Sequence, residues 1–363
     1  MTERSFTAVR QKLTPIEVGP EHHKPMAAYS ILNTDKASYV LATSPGNQEF
    51  TIYDITHGEI IKNTKLDYPP LEIGQATFKS FDSIYFQLPM KNTIIRFDSA
   101  GVVGEKTIIK DIQTDWQVRG NPPGFFNEIH QAELKFLSRN RVISTLNTFG
   151  FWYYRNKKDI KLLAELDLDK SQMTSNFSKM ATALTKAPIE LHDMYTMPYM
   201  EHYQGYIYVS YPYDHNLYKY DATTKELVKT TCLSSQFIGE LGIPLELNHS
   251  DQENINFQIS NAYYGKINFH STPGIFSRVV FHEKDLYKSD GKLNRSACDR
   301  TYSLILFDSE LNLLSEIDLQ NLDLWNRALP TPSGYVVPGI CQESSGEDFF
   351  EFNIKYDLEE IIN

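Results

Sequence analysis

Apolar positions along this chain fall in short alternating runs broken by Gly, Pro, Asn, Asp and Ser, the period of β-strands and not of helices. One arrangement recurs: an apolar strand ends in an aromatic residue and Asp, a polar turn follows, and a second strand returns. It stands at Ile52-Tyr53-Asp54, Ile95-Arg96-Phe97-Asp98, Tyr218-Lys219-Tyr220-Asp221, Leu306-Phe307-Asp308 and Ile354-Lys355-Tyr356-Asp357, with Trp152-Tyr153-Tyr154-Arg155 as a degenerate copy. An Asp that opens a turn accepts a hydrogen bond from a backbone N–H two residues on, and the aromatic before it packs on a neighbouring strand. Each Asp therefore reads as a turn former. The intervals between copies suit four-stranded blades of roughly 40–50 residues with insertions, a radial β-repeat.

The pattern predicts an all-β fold, a six-bladed β-propeller in a single domain spanning 1–363. Seven blades is the alternative, because the interval 233–301 is long enough to hold another. The blades read as 29–66, 76–109, 130–166, 194–233, 262–319 and 327–356, with strands of the third expected at 149–155 and 160–166. The last blade lacks a fourth strand. An isolated strand within 5–18 supplies it, which pairs two sheet edges that would otherwise be exposed. Met173, Phe177, Met180 and Leu184, spaced four, three and four apart, predict a short helix at 171–185 that caps the core.

The connections are unequal. First-to-second and third-to-fourth strand turns are tight, whereas the long segments join second to third strands or one blade to the next. In a propeller those long connections share one face, the place where a rigid scaffold builds its binding surface. On it, Trp116, Arg119 and Phe126 offer aromatic and cationic groups suited to stacking on a sugar or peptide. His130, His192, Tyr195 and Tyr199 follow at or near innermost strands, and Trp325 and Arg327 lead into the last blade. These nine form the candidate ligand site.

Composition narrows the partners. The 363 residues carry a formal charge of −11, which argues against a nucleic-acid partner, since phosphate backbones are held by clustered Lys and Arg. No run reaches the length of a membrane helix, and residues 1–20 lack a signal peptide's apolar core. The cysteines, Cys232, Cys298 and Cys341, are few and far apart, so neither a disulfide framework nor a cysteine zinc site is implied. Local motifs for a serine hydrolase elbow, a zinc protease or a phosphate loop do not occur, so no catalytic residue, metal or cofactor is assigned.

The hairpin repeat, the closing N-terminal strand and the irregular loops together resemble the six-bladed propeller proteins of bacterial cell envelopes, many of them lipoproteins of unassigned function. The resemblance implies export and a lipid-anchored cysteine near the start. The location is extracytoplasmic if a signal precedes Met1, and cytoplasmic if the chain is complete as written. Two functional readings follow: a non-catalytic module that binds a glycan, peptide or protein on its long-loop face, or a hydrolase or lyase acting on a carbohydrate or lactone through His and carboxylate groups at the channel mouth. A purely structural component of an envelope complex is a third.

Overall fold

The computed structural model describes residues 5–13, 28–43, 49–66, 75–88, 92–110, 124–125, 134–147, 152–153, 161–179, 181, 185, 190–191, 197–242, 250–294, 299–319, 325–338 and 352–361. Their strands form six antiparallel blade sheets. Blade one runs Ala28–Asn33, Ser38–Thr43, Glu49–Asp54 and Glu59–Lys65, and blade two Gln75–Ser80, Ser83–Leu88, Thr93–Phe97 and Val103–Ile108. Blade four runs Tyr199–Tyr203, Tyr206–Ser210, Asn216–Asp221 and Leu227–Cys232, and blade five Tyr263–His270, Ile275–Phe281, Tyr302–Phe307 and Leu313–Leu319. Blade six takes Leu329–Thr331, Gly334–Pro338 and Phe352–Ile361 from the end of the chain. Its outermost strand is Ser5–Lys12, paired along its length with Phe352–Ile361. The N-terminal strand closes the ring, and the count is six.

Blade three departs from the sequence expectation. Its sheet is built on Arg141–Asn147, Lys161–Asp167 and Gln172–Lys179, with Lys135–Phe136 and Gly124–Phe125 both pairing with Arg141–Asn147 on the inner side. Trp152–Tyr153 pairs instead with Glu190–Leu191, outside the blade. The hairpin of this blade is therefore Leu166-Asp167, and the helix expected at 171–185 is a strand over Gln172–Lys179. Met173 and Phe177 pair with Leu166 and Leu163 across a register shift, so the four-residue spacing that imitates a helix places them on opposite faces of a bulged strand. Thr174, Ser175 and Asn176 between them are poor helix formers, which settles the competition. Among the described residues, the long helix lies elsewhere, at Asp251–Ser260.

The repeated Asp does the work the sequence suggests. Asp54 Oδ1 accepts the N–H groups of Thr56 and His57 at 2.9 and 3.0 Å, and Asp98 Oδ1 those of Ala100 and Val102 at 2.8 and 3.0 Å. Asp221 and Asp308 repeat the arrangement at 2.8–2.9 Å. A register shift precedes the Asp in these four hairpins and in that of Asp167, between Ile52/Tyr53, Arg96/Phe97, Glu165/Leu166, Lys219/Tyr220 and Leu306/Phe307. Such bulges sharpen the local twist, which helps each blade fan out from the axis. The sixth Asp has no turn to open, since its fourth strand arrives from the other end of the chain. Asp357 instead accepts from Gln11 Nε2 of that strand at 2.9 Å and from Ser333 Oγ.

Apolar clusters fill the spaces between blades, and the inner strands add a tie at every junction. Ser30 Oγ accepts the Phe78 N–H at 2.9 Å, and Thr77 Oγ1 accepts the Leu134 N–H at 3.1 Å. Lys135 pairs with Glu201 at 3.0 Å, and the Tyr203 and Phe269 rings stack with centroids 3.8 Å apart. Asn268 Nδ2 donates to Tyr335 OH at 2.8 Å, and Asn33 Nδ2 closes the circle on Pro330 O at 3.0 Å. Among the described residues, no helix is long and apolar enough to cross a membrane.

Candidate functional site

Most of the described long-loop face belongs to blades four and five. Two arginines of blade five brace it. Arg278 sits in the middle of Ile275–Phe281, a strand buried at every position, and carries no solvent exposure. Its guanidinium donates to the carbonyls of Tyr211 at 3.1 Å, Asp214 at 2.5 Å, His215 at 3.2 Å and Leu233 at 3.5 Å, and lies 3.4 Å above the Tyr264 ring. Burial pulls its pKa down to about 10, against the neighbouring Tyr264 and Asp214, so the group stays charged at neutral pH. One cation thereby fixes the second-to-third strand loop of blade four and the start of the next connection.

Arg300 does the same for the helix. Its Nε donates to His282 O at 2.8 Å, Nη2 to Asn261 O at 2.5 Å, and Nη1 to Gln258 O. The carbonyls at a helix C-terminus lack intrahelical donors, and a cation there also complements the helix dipole. At the other end, Ser250 and Glu253 form a capping box, with Ser250 N–H to Glu253 Oε2 at 2.8 Å and Glu253 N–H to Ser250 Oγ at 3.3 Å. Lys284 N–H reaches Ile259 O at 3.0 Å and so joins the helix to the loop that follows Phe281.

Four large apolar side chains are exposed on these braced segments: Phe237 at 38%, Ile255 at 41%, Tyr287 at 59% and Leu293 at 38%. Phe237 stacks on His282 at 5.9 Å, and Tyr287 and Leu293 stand opposite each other in a small hairpin closed by Lys288 N–H to Lys292 O at 2.7 Å. Beneath lies an aromatic layer. Tyr263 stacks on Phe281 at 4.3 Å under the Arg300 guanidinium, 4.8 Å from the ring, and Tyr213 packs against both Tyr263 and Phe257. Tyr199 borders Tyr263. Burial raises its hydroxyl above the usual range, and Tyr263 adds to the effect.

Of the residues predicted for the site, Trp116, Arg119, Phe126, His130, His192 and Tyr195 lie outside the described residues. Tyr199 belongs to the layer just described. Trp325 is corrected to a core residue: it is 2% exposed and packs on Tyr335 at 5.4 Å and Tyr356 at 4.8 Å. Arg327 is half-buried at the junction of blades six and one. There burial pushes the Tyr29 hydroxyl up to about 12, and the charge of Arg327 opposes it. The structure thus brings Tyr199 to one part of the ring and Trp325 and Arg327 to another.

Three of the described histidines make hydrogen bonds inside the protein. His270 Nδ1 bonds Thr331 O at 3.0 Å and Nε2 bonds Ser277 Oγ at 2.7 Å, with both residues fully buried near the tight-turn face. His282 Nε2 bonds Ser303 Oγ at 3.0 Å, and Ser303 in turn donates to Glu316 at 2.7 Å. His215 Nδ1 bonds Tyr264 OH at 2.6 Å. Burial lowers the pKa of all three. The arginine braces and the exposed patch were missed in the sequence. Signals existed: a charge inside the apolar run Ile275–Phe281, the spacing of Ser250 and Glu253, and the turn residues Ser289, Asp290 and Gly291 between Tyr287 and Leu293.

The fold and this surface define a class, a six-bladed β-propeller with a braced loop face. Within it, the chain belongs to the family described as Domain of unknown function (DUF4221), whose model matches residues 18–318. It is similar to a solved member of that family from Bacteroides vulgatus, at 11% identity and a TM-score of 0.72, covering 99% of this chain and 100% of the other. A protein from Bacteroides fragilis, inferred to be exported, shares the fold at 8% identity and a TM-score of 0.52, over 98% of this chain and 96% of that one. No curated protein matches the sequence. The resemblance drawn from the hairpin repeat stands at the level of architecture and bacterial kinship.

Proposed function

We propose that this protein is a non-catalytic binding propeller of the bacterial cell envelope, and that the long-loop face of blades four and five holds a peptide or protein in preference to a glycan. One observation carries the reading: Ile255 is exposed on the helix whose end Arg300 holds, and Phe237, Tyr287 and Leu293 are exposed on the segments that start from Leu233 and His282, where Arg278 and Arg300 bond. Apolar side chains grouped on a preformed surface favour association, because little chain entropy is lost when a partner covers them. Trp116, Arg119 and Phe126, expected in the connection between blades two and three, and His130, His192 and Tyr195, expected at or near innermost strands, are proposed to extend the surface. The export inferred for the Bacteroides fragilis protein supports an extracytoplasmic location.

The enzyme reading draws less support, since His270 spends both ring nitrogens on internal hydrogen bonds and His215 and His282 each commit one. The test is selection from a displayed peptide library beside a glycan array, with wild type and a Tyr287→Ser/Leu293→Ser double variant. Selected peptides that lose tenfold or more in affinity for the variant support the proposal. Selection of glycans alone, or of peptides indifferent to the variant, would sink it. Protease accessibility on intact cells tests the location.

A further inference from the structure

The charges around the patch indicate what kind of partner fits it. From His282 onward the exposure alternates, so Glu283, Asp285 and Tyr287 are exposed while Lys284 and Leu286 turn inward. Two carboxylates therefore lead directly to the aromatic ring. Glu240 is exposed on the neighbouring segment beyond Phe237, which is tied to the same stretch by Gly239 N–H to Glu283 Oε1 at 3.4 Å. Lys284 lies between two of these carboxylates, so Glu240, Glu283 and Asp285 outnumber it three to one, and the other nearby lysines are committed elsewhere. Lys288 Nζ is paired with Asp299 at 3.0 Å and Lys292 Nζ with Asp290 at 3.8 Å, whereas no ion pair engages Glu240, Glu283 or Asp285 among the described residues.

The dimensions suit a single docking segment. His282 stacks on Phe237, Lys284 is bonded beside Ile259, one turn from Ile255, and Tyr287 faces Leu293. Five residues of extended chain span at most about 18 Å, so His282, with Phe237 against it, and Tyr287 lie within the reach of one short helix or strand. An apolar centre with an excess of carboxylates on its rim selects a partner of opposite charge, and the rim sets salt dependence and association rate more than the affinity at the centre.

We infer that this face docks a basic segment of a protein partner, an apolar anchor flanked by Lys or Arg. The inference rests on the binding reading above and adds the charge class of the partner. The probes are three fluorescein-labelled amphipathic 15-residue peptides that share leucine positions and carry Lys, Gln or Glu elsewhere, read by fluorescence anisotropy against the full chain. The Lys peptide is expected to bind best and to weaken steeply between 50 and 300 mM salt, on the order of tenfold. Tyr287→Ser should cost about tenfold or more, and Glu283→Gln with Asp285→Asn about threefold to tenfold together with a shallower salt dependence. If the Gln or Glu peptide binds as well as the Lys peptide and still depends on Tyr287, the charge class is wrong and the binding face stands. If no peptide depends on Tyr287, or the Lys peptide binds equally well to all the variants, the inference is overturned and the binding face falls with it.

Discussion

His270 gives a measurable consequence of how the ring is tied at blades five and six. Its ring is wholly buried between Thr331 O and Ser277 Oγ, and Ser277 Oγ passes the chain on to Tyr335 OH at 2.6 Å. Burial holds the imidazole neutral and brings its pKa down from 6.5 to about 4. The unfolded chain therefore takes up a proton below pH 6.5 that the folded site resists until pH 4. Stability from this residue is complete above the unfolded value and is lost as pH falls toward the folded one. The loss amounts to about 2 kcal/mol at pH 5 and about 3 kcal/mol at pH 4. Urea unfolding of wild type and His270→Gln at pH 7.5 and pH 5 isolates the contribution, because every other titrating group is common to both proteins. Wild type should lose about 2 kcal/mol more than the variant between the two pH values. Equal losses would show that the ring is reached by water or protons in the folded state, and the argument from burial would fail.

Other perturbations follow from the same structure. Glu165 is buried between Arg141 and Lys225, the latter at 2.6 Å across the junction of blades three and four, so Glu165→Gln should cost about 3–5 kcal/mol by calorimetry; a loss below 1 kcal/mol would refute a functioning buried pair. Gly101 has a φ of +80°, and a Cβ there would stand 2.3 Å from Lys65 O of blade one, so Gly101→Ala should cost about 1–3 kcal/mol and an unchanged melting temperature would count against that close approach. Removing residues 1–13 strips Ser5–Lys12 from Phe352–Ile361 and should cause aggregation or lower the melting temperature by about 10 °C or more, while an unaltered melt would refute the closing strand. Arg278→Met should cost about 3 kcal/mol or more and speed hydrogen exchange at residues 211–215, and slow exchange there in the variant would show that the loop is held by something else.

The sequence spoke most clearly where one residue type answers one local need. Asp54, Asp98, Asp221 and Asp308 were readable as turn formers because the bonds they make run to N–H groups two to four residues on, within the same stretch of chain. The closing strand was readable too, since a blade short of a strand demands one from elsewhere. Blade three misled because two signals competed. Trp152-Tyr153-Tyr154-Arg155 imitates the hairpin without its Asp, while the true one, Leu166-Asp167, lacks the aromatic. The site was less legible still, for a physical reason: Arg278 and Arg300 act through carbonyl oxygens as far as 67 residues away along the chain, and nothing in the identity of Tyr211 or Gln258 marks its carbonyl as an acceptor.

The choice of carbonyls over carboxylates as partners bears on function. A buried arginine paired with a carboxylate ties two side chains together, but one bonded to several main-chain oxygens fixes the path of the backbone itself. Arg278 engages carbonyls of the loop before Asn216–Asp221 and of Leu233 after Leu227–Cys232, and Arg300 gathers the helix end and the segment after Phe281. Loops of this length would otherwise be the most mobile parts of a propeller, and ordering them on contact would oppose binding. Here the ordering is already built into folding. Phe237, Ile255, Tyr287 and Leu293 are consequently held out to solvent with their surroundings set in advance, an arrangement that stability alone does not require and that suits the binding role proposed above.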